Sequence, residues 1–278
     1  MAMWGDRRLP TEVVEQLCGQ VFGAEYAAVV AGLVRPALHL VRAEPGADVA
    51  FSLGGAPRSS GPWPVHPELG PMEFVARLDL SVVAEAGVCP ALTATGVVEV
   101  FVPPVEDSDE GYVGDFEDRH ALVVRSVSAG DVPAEAPEGV VESPYTPLRA
   151  VLADSAPDWD LLQQVLPEGV IEDHDERTDE LADLFYAHAV GDLEIPRHTV
   201  GGNPPIAGQN PPAVELGWAD ADGDGPRGSF SHLLTIDFDE EAEMEFLDGG
   251  TLHIILDGDK IAAIDPLAPN AYLLVGSL

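Results

Sequence analysis

The sharpest run of chemistry-bearing residues in the chain is Asp220-Ala221-Asp222-Gly223-Asp224-Gly225. Carboxylates at alternate positions with a glycine at the sixth place match the front of a calcium loop, where the glycine makes the turn that lets the oxygens converge. The twelfth place of such a loop needs a bidentate Glu, and here it is Ser231. Strand-like sequence flanks the run, where a calcium loop of this type would have helices. Two readings stand: a partial oxygen cage of Asp220, Asp222 and Asp224 that binds calcium weakly, or an acidic hairpin loop rich in turn formers.

A second candidate occurs twice, as Gly54-Gly55-Ala56-Pro57 and Gly201-Gly202-Asn203-Pro204. The backbone amides of Gly54, Gly55, Gly201 and Gly202 could face a ligand. Equally, the glycines serve a tight turn that needs positive φ. They form no phosphate loop, because no GxxxxGK follows and no lysine is near. Each doublet opens the same series. An apolar strand ends at Asp79 in the first copy and at Asp237 in the second, and a Gly-led apolar strand follows (Gly96 to Val102, Gly250 to Leu256). Asp79 and Asp237 therefore occupy equivalent places. They could form an acidic pair across a cleft, for acid/base work or a cation, or each could cap a strand end.

Other reactive groups are dispersed. The eight histidines include no HExxH or HxH pair. His188 shares a predicted helix face with Leu181, Leu184 and Phe185 and reads as a core histidine. Neither GxSxG nor a recognisable Cys-His arrangement is present. Cys18 and Cys89 make no CxxC and read as small buried thiols of a reduced compartment. Trp63, Trp159 and Trp218 read as core or sheet-cover aromatics, with Trp218 also able to line a surface groove.

The charge bounds the function. Against 49 Asp and Glu stand 13 Lys and Arg, a formal net charge of −36. Phosphate contacts need clusters of Lys and Arg, so nucleic acid is argued against, while a basic protein partner or a cation is favoured. A solvated acidic surface that serves solubility is the plainer alternative. The apolar fraction of 46% is that of a folded protein. No apolar run reaches the roughly 18 residues of a membrane helix, and the first residues lack a signal-peptide core, so a cytoplasmic protein is expected.

Elements that would position these residues follow from periodicity. A helix is predicted over 11–31 with Thr11 as cap and a break at Gly23, then a strand at Ala37 to Val41. Residues 52–72 are rich in turn formers, and Trp63 is their natural anchor. Strands are predicted at 73–80, 96–102 and 121–125, with the acidic stretch 104–118 between the last two. Helices are predicted at Ser155 to Leu166, capped by Ser155, and at Thr178 to Val190, capped by Thr178. The second copy supplies strands at 232–238, 250–256, 260–264 and 271–275.

Arg35 to Val41, Leu53 to Pro57, Trp63-Pro64 and Phe74 to Leu80 together resemble the YwqG-like family of domains of unknown function. Val200 to Pro204 with Gln209, the Leu233-Leu234 strand and Asp248-Gly249-Gly250-Thr251-Leu252 fit the same family. The resemblance covers about residues 30–278. It implies an α+β fold with an internal duplication and mainly antiparallel sheets, and it carries no catalytic residues. Some members look like companions of bacterial toxin systems, which implies an immunity or protein-binding role. The approach to the last sheet departs from the family pattern at Leu247-Asp248-Gly249, where an aromatic residue is expected.

The expectation is thus an α+β chain with a helical segment at 1–34 and half-repeats at 35–148 and 149–278, forming two twisted sheets covered by helices. Its function is expected to be non-enzymatic binding of a basic partner, without a cofactor beyond weakly held calcium. The alternative is an enzyme, or a ligand- or metal-binding protein, that uses the seam between the halves.

Overall fold

Alternating apolar residues build most of the chain into strands. A computed structural model of the protein describes residues 4–276 apart from 45–46, 48, 60, 91, 93–95, 105–121, 129–130, 173–175, 192–195, 206–229, 247–249 and 258–270. In chain order the elements are β1 (Trp4–Asp6), α1 (Thr11–Phe22), α2 (Ala27–Ala31), β2 (Arg35–Arg42), β3 (Phe51–Leu53), β4 (Arg58–Ser59), β5 (Val65–His66), β6 (Gly70–Pro71), β7 (Glu73–Asp79), α3 (Leu80–Ala86), β8 (Val97–Val102), β9 (Val123–Val127) and β10 (Val132–Pro133). They continue with β11 (Thr146–Ser155), α4 (Trp159–Gln163), α5 (Glu176–Val190), β12 (Thr199–Val200), β13 (Phe230–Ile236), a 3-10 turn (Glu240–Ala242), β14 (Thr251–Asp257) and β15 (Ala271–Gly276).

Where two sheets were expected, the strands of both copies belong to one. Its order is β15-β14-β13-β12-β2-β11-β3-β7-β8-β9, antiparallel throughout. β1 adds a parallel strand on β11 over Ala150 to Leu152, along the edge that short β3 leaves open. The sheet curls into a half-barrel, so that Leu78 and Val98 from one wing share a core with Leu234, Leu252 and Ile254 from the other. Leu38, Leu40, Leu148, Ala150 and Leu152 of the two central strands fill the same core. The opposite face of β2 and β11 lies under α5. Burial on both faces explains why β2 carries apolar residues on both sides, Ala37 and Val41 as well as Leu38 and Leu40.

Helix α3 packs into this core through Leu80, Val82 and Val83, and the other helices form a second cluster. Val14, Leu17, Cys18 and Phe22 of α1 pack with Val30, Trp159, Leu162, Leu181 and Phe185. Gly23 splits α1 from α2 at φ 100°, as its position predicts. Three expected caps are corrected. Thr11 is the first helical residue, and Pro10 holds the cap position with no side-chain bond. Ser155 ends β11, and α4 is capped by Asp158, whose carboxylate accepts the Leu161 N–H at 2.7 Å. Thr178 lies inside the first turn of α5, which begins at Glu176. His188 is exposed, while Tyr186 and Ala189 take the buried positions, so it is not a core histidine. The extended stretch expected at 130–148 runs into β11, so a division at 148/149 falls inside that strand.

Two local devices recur. β7 bulges against β8 between Phe74 and Ala76, and β13 bulges against β14 between His232 and Leu234. Counted back from Asp79 and Asp237, the bulges fall at the same place. The bulge in β7 also turns Phe74 away from Ala76 and Leu78, so Phe74 joins Met72, Phe101 and Trp63 beneath the 58–72 segment. Trp63 anchors that segment as expected. Its indole N–H donates to the Met72 carbonyl at 2.7 Å, and its ring meets Phe101 edge-on at 5.7 Å.

The Gly-Gly turns close on the chain itself. Gly54 donates to the Val75 carbonyl at 3.0 Å and Gly201 to the Leu233 carbonyl at 3.1 Å. Both have left-handed φ, 55° and 68°. A Cβ on Gly54 would stand 2.5 Å from the Pro144 carbonyl oxygen, and one on Gly201 would stand 2.5 Å from that of Val88. Gly201→Ala therefore combines left-handed strain with overpacking and is expected to cost about 3 kcal/mol. Gly87→Ala has the same kind of φ, 69°, in open space and should cost only about 1 kcal/mol. Urea unfolding of both variants checks the difference, and equal losses would contradict the close approach.

Candidate functional site

The end of β2, the start of β11, the segment before β12 and the segment after β13 meet around a cleft of about 640 Å³. Leu40, Val41 and Leu148 supply apolar wall, and Arg42, Arg149, His198, Asp237 and Asp239 are among its polar lining. Register brings them together. Leu148 pairs with Arg42 and Arg149 with Val41 across the central strands, while the Leu40 N–H donates to the His198 carbonyl at 2.8 Å.

A buried hydrogen-bond network holds the polar groups. His198 Nδ1 accepts the Asp237 N–H at 3.1 Å, so the ring proton sits on Nε2, which donates to Asp239 Oδ2 at 3.1 Å. Asp239 Oδ1 accepts from the Arg42 guanidinium and also caps the 3-10 turn through the Ala242 N–H at 3.0 Å. Burial alone would raise the Asp239 carboxyl. The bonds from His198 and Ala242 and the Arg42 charge outweigh it and hold the group below the usual carboxylate range. Asp237 accepts the Arg197 N–H at 2.8 Å and the Thr251 hydroxyl at 3.2 Å. Arg42 also reaches Glu241 at 3.1 Å, and Arg197 is bonded to Asp183 and lies over the Tyr186 ring at 5.1 Å. The Arg149 side chain is exposed and makes no hydrogen bond or ion pair among the described residues.

Chemically the cleft offers carboxylates, guanidinium groups and one imidazole, and among the described residues no Ser, Thr, Cys or Lys lines it. Both nitrogens of its one histidine are engaged, Nδ1 by the Asp237 amide and Nε2 by Asp239. The two cysteines are buried elsewhere, and burial pushes both thiols up to about 11.

Two further polar clusters lie in the wings. In β13 and β14 the His232 Nδ1–H donates to the Gly201 carbonyl at 2.9 Å, which leaves Nε2 to accept the Thr235 hydroxyl at 2.7 Å. The Thr235 oxygen then accepts the His253 Nδ1–H at 2.8 Å. The chain of bonds has one direction and ends on a buried His253 Nε2 lone pair without a partner. Burial lowers His232 to about 4, and burial with the neighbouring His232 lowers His253 to about 3. In the other wing, Glu99 is fully buried. It accepts Arg77 Nη2 at 2.7 Å, the Arg58 N–H at 2.6 Å and Arg125 Nη2 at 3.3 Å. Arg77 faces Glu99 across β7 and β8 as Thr235 faces His253 across β13 and β14.

Of the residues singled out in the sequence, Asp237 lines the cleft. Asp79 caps α3 by accepting the Ser81 N–H at 2.9 Å, at the end of β7, five places away from β13 in the sheet. Gly54, Gly55, Gly201 and Gly202 spend their amides on carbonyls of Val75, Ser143, Leu233 and Val88. Trp63 is committed to the Phe101 cluster, and Trp159 is buried among the helices. Trp218, Asp220, Asp222 and Asp224 lie outside the described residues, as do the acidic stretch 106–118 and the strand expected at 260–264. Among the described residues no group of three or more His, Cys, Asp or Glu is placed to hold a metal, and no helix is long and apolar enough to cross a membrane. Sequence reasoning missed Arg42, Arg149, His198 and Asp239. The signal present was the place of Asp239, two residues past the repeated Asp237.

A curled, mostly antiparallel sheet packed with helices, with a cleft at its centre, defines an α+β protein. The chain belongs to the DUF1963 family, described as a domain of unknown function, whose model matches residues 52–265. The search of curated proteins returned no match.

Three buried histidines make stability depend on pH. Burial lowers His39 to about 4, alongside His232 and His253. The unfolded chain binds protons below about pH 6.5 that the folded chain refuses, so stability is lost as pH falls from about 6.5 towards 4. Each histidine contributes up to about 1.4 kcal/mol per pH unit. Glu73 and Asp154, raised by burial, act with the opposite sign, so the comparison is made against a variant. His253→Gln should flatten the slope between pH 6.5 and 5 by about one proton's worth, read from urea unfolding at several pH values.

Proposed function

We propose that the protein is a non-enzymatic binding protein whose central cleft takes a small ligand through an anionic group. The observation that carries this is Arg149, a guanidinium in the cleft wall with no partner among the described residues, where Arg42 and Arg197 are already bonded. Placing it there in a chain of net charge −36 sets a positive group against the general field. A charge-assisted bond to a carboxylate or phosphate would use it, and Leu40, Val41 and Leu148 offer apolar surface beside it.

We further infer that the chain is an internal duplication and a YwqG-like member of its family. Supporting this are the matched bulges, the Gly54-to-Val75 and Gly201-to-Leu233 bonds, and a sheet order that reads alike from both ends. On this reading the first strand of each half, β2 or β11, is exchanged into the other half, and the cleft lies at the seam so formed.

A second reading rests on the 49 acidic residues. A basic protein partner, as an immunity or regulatory protein would have, would be steered to such a surface at salt-sensitive rates. Calcium at Asp220, Asp222 and Asp224 stays a proposal of the same kind, and a titration with no heat at millimolar calcium would remove it.

Titration of the protein with small dicarboxylates and inorganic phosphate, followed by NMR, tests the first reading. At least one probe should shift cleft amides saturably, and Arg149→Ala should weaken it about tenfold or more. Absence of any saturable shift at millimolar probe, or equal binding by the variant, would count against it. For the second reading, a basic protein should be recovered from the native host at low salt and released at high salt.

A further inference from the structure

A smaller cavity, of about 50 Å³, lies between the helix-covered face of the sheet and the start of α5. His39 of β2, Thr199 of β12 and Thr178 of α5 line it together with Asp154, Asp158 and Asp179. Register sets the first pair side by side, because Thr199 is the cross-strand partner of His39.

Three polar atoms on these walls are buried and have no hydrogen-bond partner among the described residues: His39 Nδ1, Thr199 Oγ1 and Thr178 Oγ1. Each belongs to a residue more than nine-tenths buried. Leaving such atoms unsatisfied is unfavourable, and three lining one cavity call for a common occupant. The chemistry of that occupant is constrained. His39 Nε2 faces the Asp154 carbonyl at 3.3 Å, which can only accept, so Nε2 carries the proton and Nδ1 presents a lone pair. The ring stays neutral because it is buried against Tyr186, at 5.7 Å between centroids. The two hydroxyl oxygens can also accept. The charged groups facing the cavity are the carboxylates of Asp154, Asp158 and Asp179 against one cation, Arg197, which is already bonded to Asp183. An anion would meet a net negative wall.

We propose that this cavity binds the protonated primary amine of a small ligand, its three N–H groups donating to His39 Nδ1, Thr199 Oγ1 and Thr178 Oγ1. A primary ammonium has three donors and no acceptor, which matches three unsatisfied acceptors beside an excess of carboxylate. The space admits about three or four water-sized groups, so it suits a head group rather than a bulky molecule. The site is distinct from the anion-binding cleft, and either can fail without the other.

Methylammonium chloride is the probe, with tetramethylammonium chloride at the same concentration as the control that carries charge but no N–H. The readout is the 15N resonance of His39 Nδ1, assigned with a His39→Gln variant. Methylammonium should move that resonance saturably, and tetramethylammonium should not. Thr199→Val keeps the side-chain shape, removes one acceptor and should weaken methylammonium binding about tenfold while leaving the melting temperature unchanged or higher. No shift with methylammonium would mean that the cavity holds only water, and would overturn the proposal. So would equal shifts with both cations, or unchanged binding by Thr199→Val. Should Thr199→Val fail to fold, Thr178→Val serves the same test.

Discussion

The structure depends on the antiparallel pairing of β2 with β11, which matches Arg35 to Arg42 residue for residue against Leu148 to Ser155. Every other large strand is hung from this pair, β12 to β15 on one side and β3 with β7 to β9 on the other. The pair is apolar on both faces, because one face joins the curled core and the other lies under α5. A one-residue slip would move Leu38 and Leu40 out of the core and bring His39 into it. The same slip would separate Arg42 from Asp239 and His39 from the Asp154 carbonyl. Fold, cleft and cavity therefore share one register.

Charge is distributed unevenly for a physical reason. With so few cations in the chain, four guanidinium groups near the interior are tied to specific carboxylates: Arg77 and Arg125 to Glu99, Arg42 to Asp239, Arg197 to Asp183. Removing one partner from a buried pair leaves an uncompensated charge, so these pairs fix geometry more than they add net stability. Burial keeps His39, His232 and His253 as neutral rings, where a lysine would need a countercharge. His232, Thr235 and His253 relay hydrogen bonds across the wing that matches the Glu99 cluster.

Much of the fold was legible, and the reasons separate cleanly. Phe74 to Asp79, Val97 to Val102 and Thr251 to Asp257 alternate or run apolar, and all are strands. Gly23 and Trp63 did what their local chemistry implied. Cap positions were less legible, because Thr11, Ser155 and Thr178 are good cap residues whose places were decided by where strand and helix pairing end. The merging of two expected sheets into one could not be read locally. It depends on β2 lying next to β12, a pairing between residues about 160 apart in the chain. For the same reason the cleft was invisible. His198 and Asp239 are 41 residues apart and gain a relation only when β12 and β13 pair.

The position of β2 also bears on how the chain is made. Both of its neighbours, β11 and β12, lie far downstream, and Arg35 waits for a residue 120 positions later. At a synthesis rate of about 5–20 residues per second, this central strand emerges from the ribosome with both edges bare for roughly 6–24 s. Such a topology is slow and exposed to mispairing. An abundance of like charge along the rest of the nascent chain keeps neighbouring copies apart during that interval.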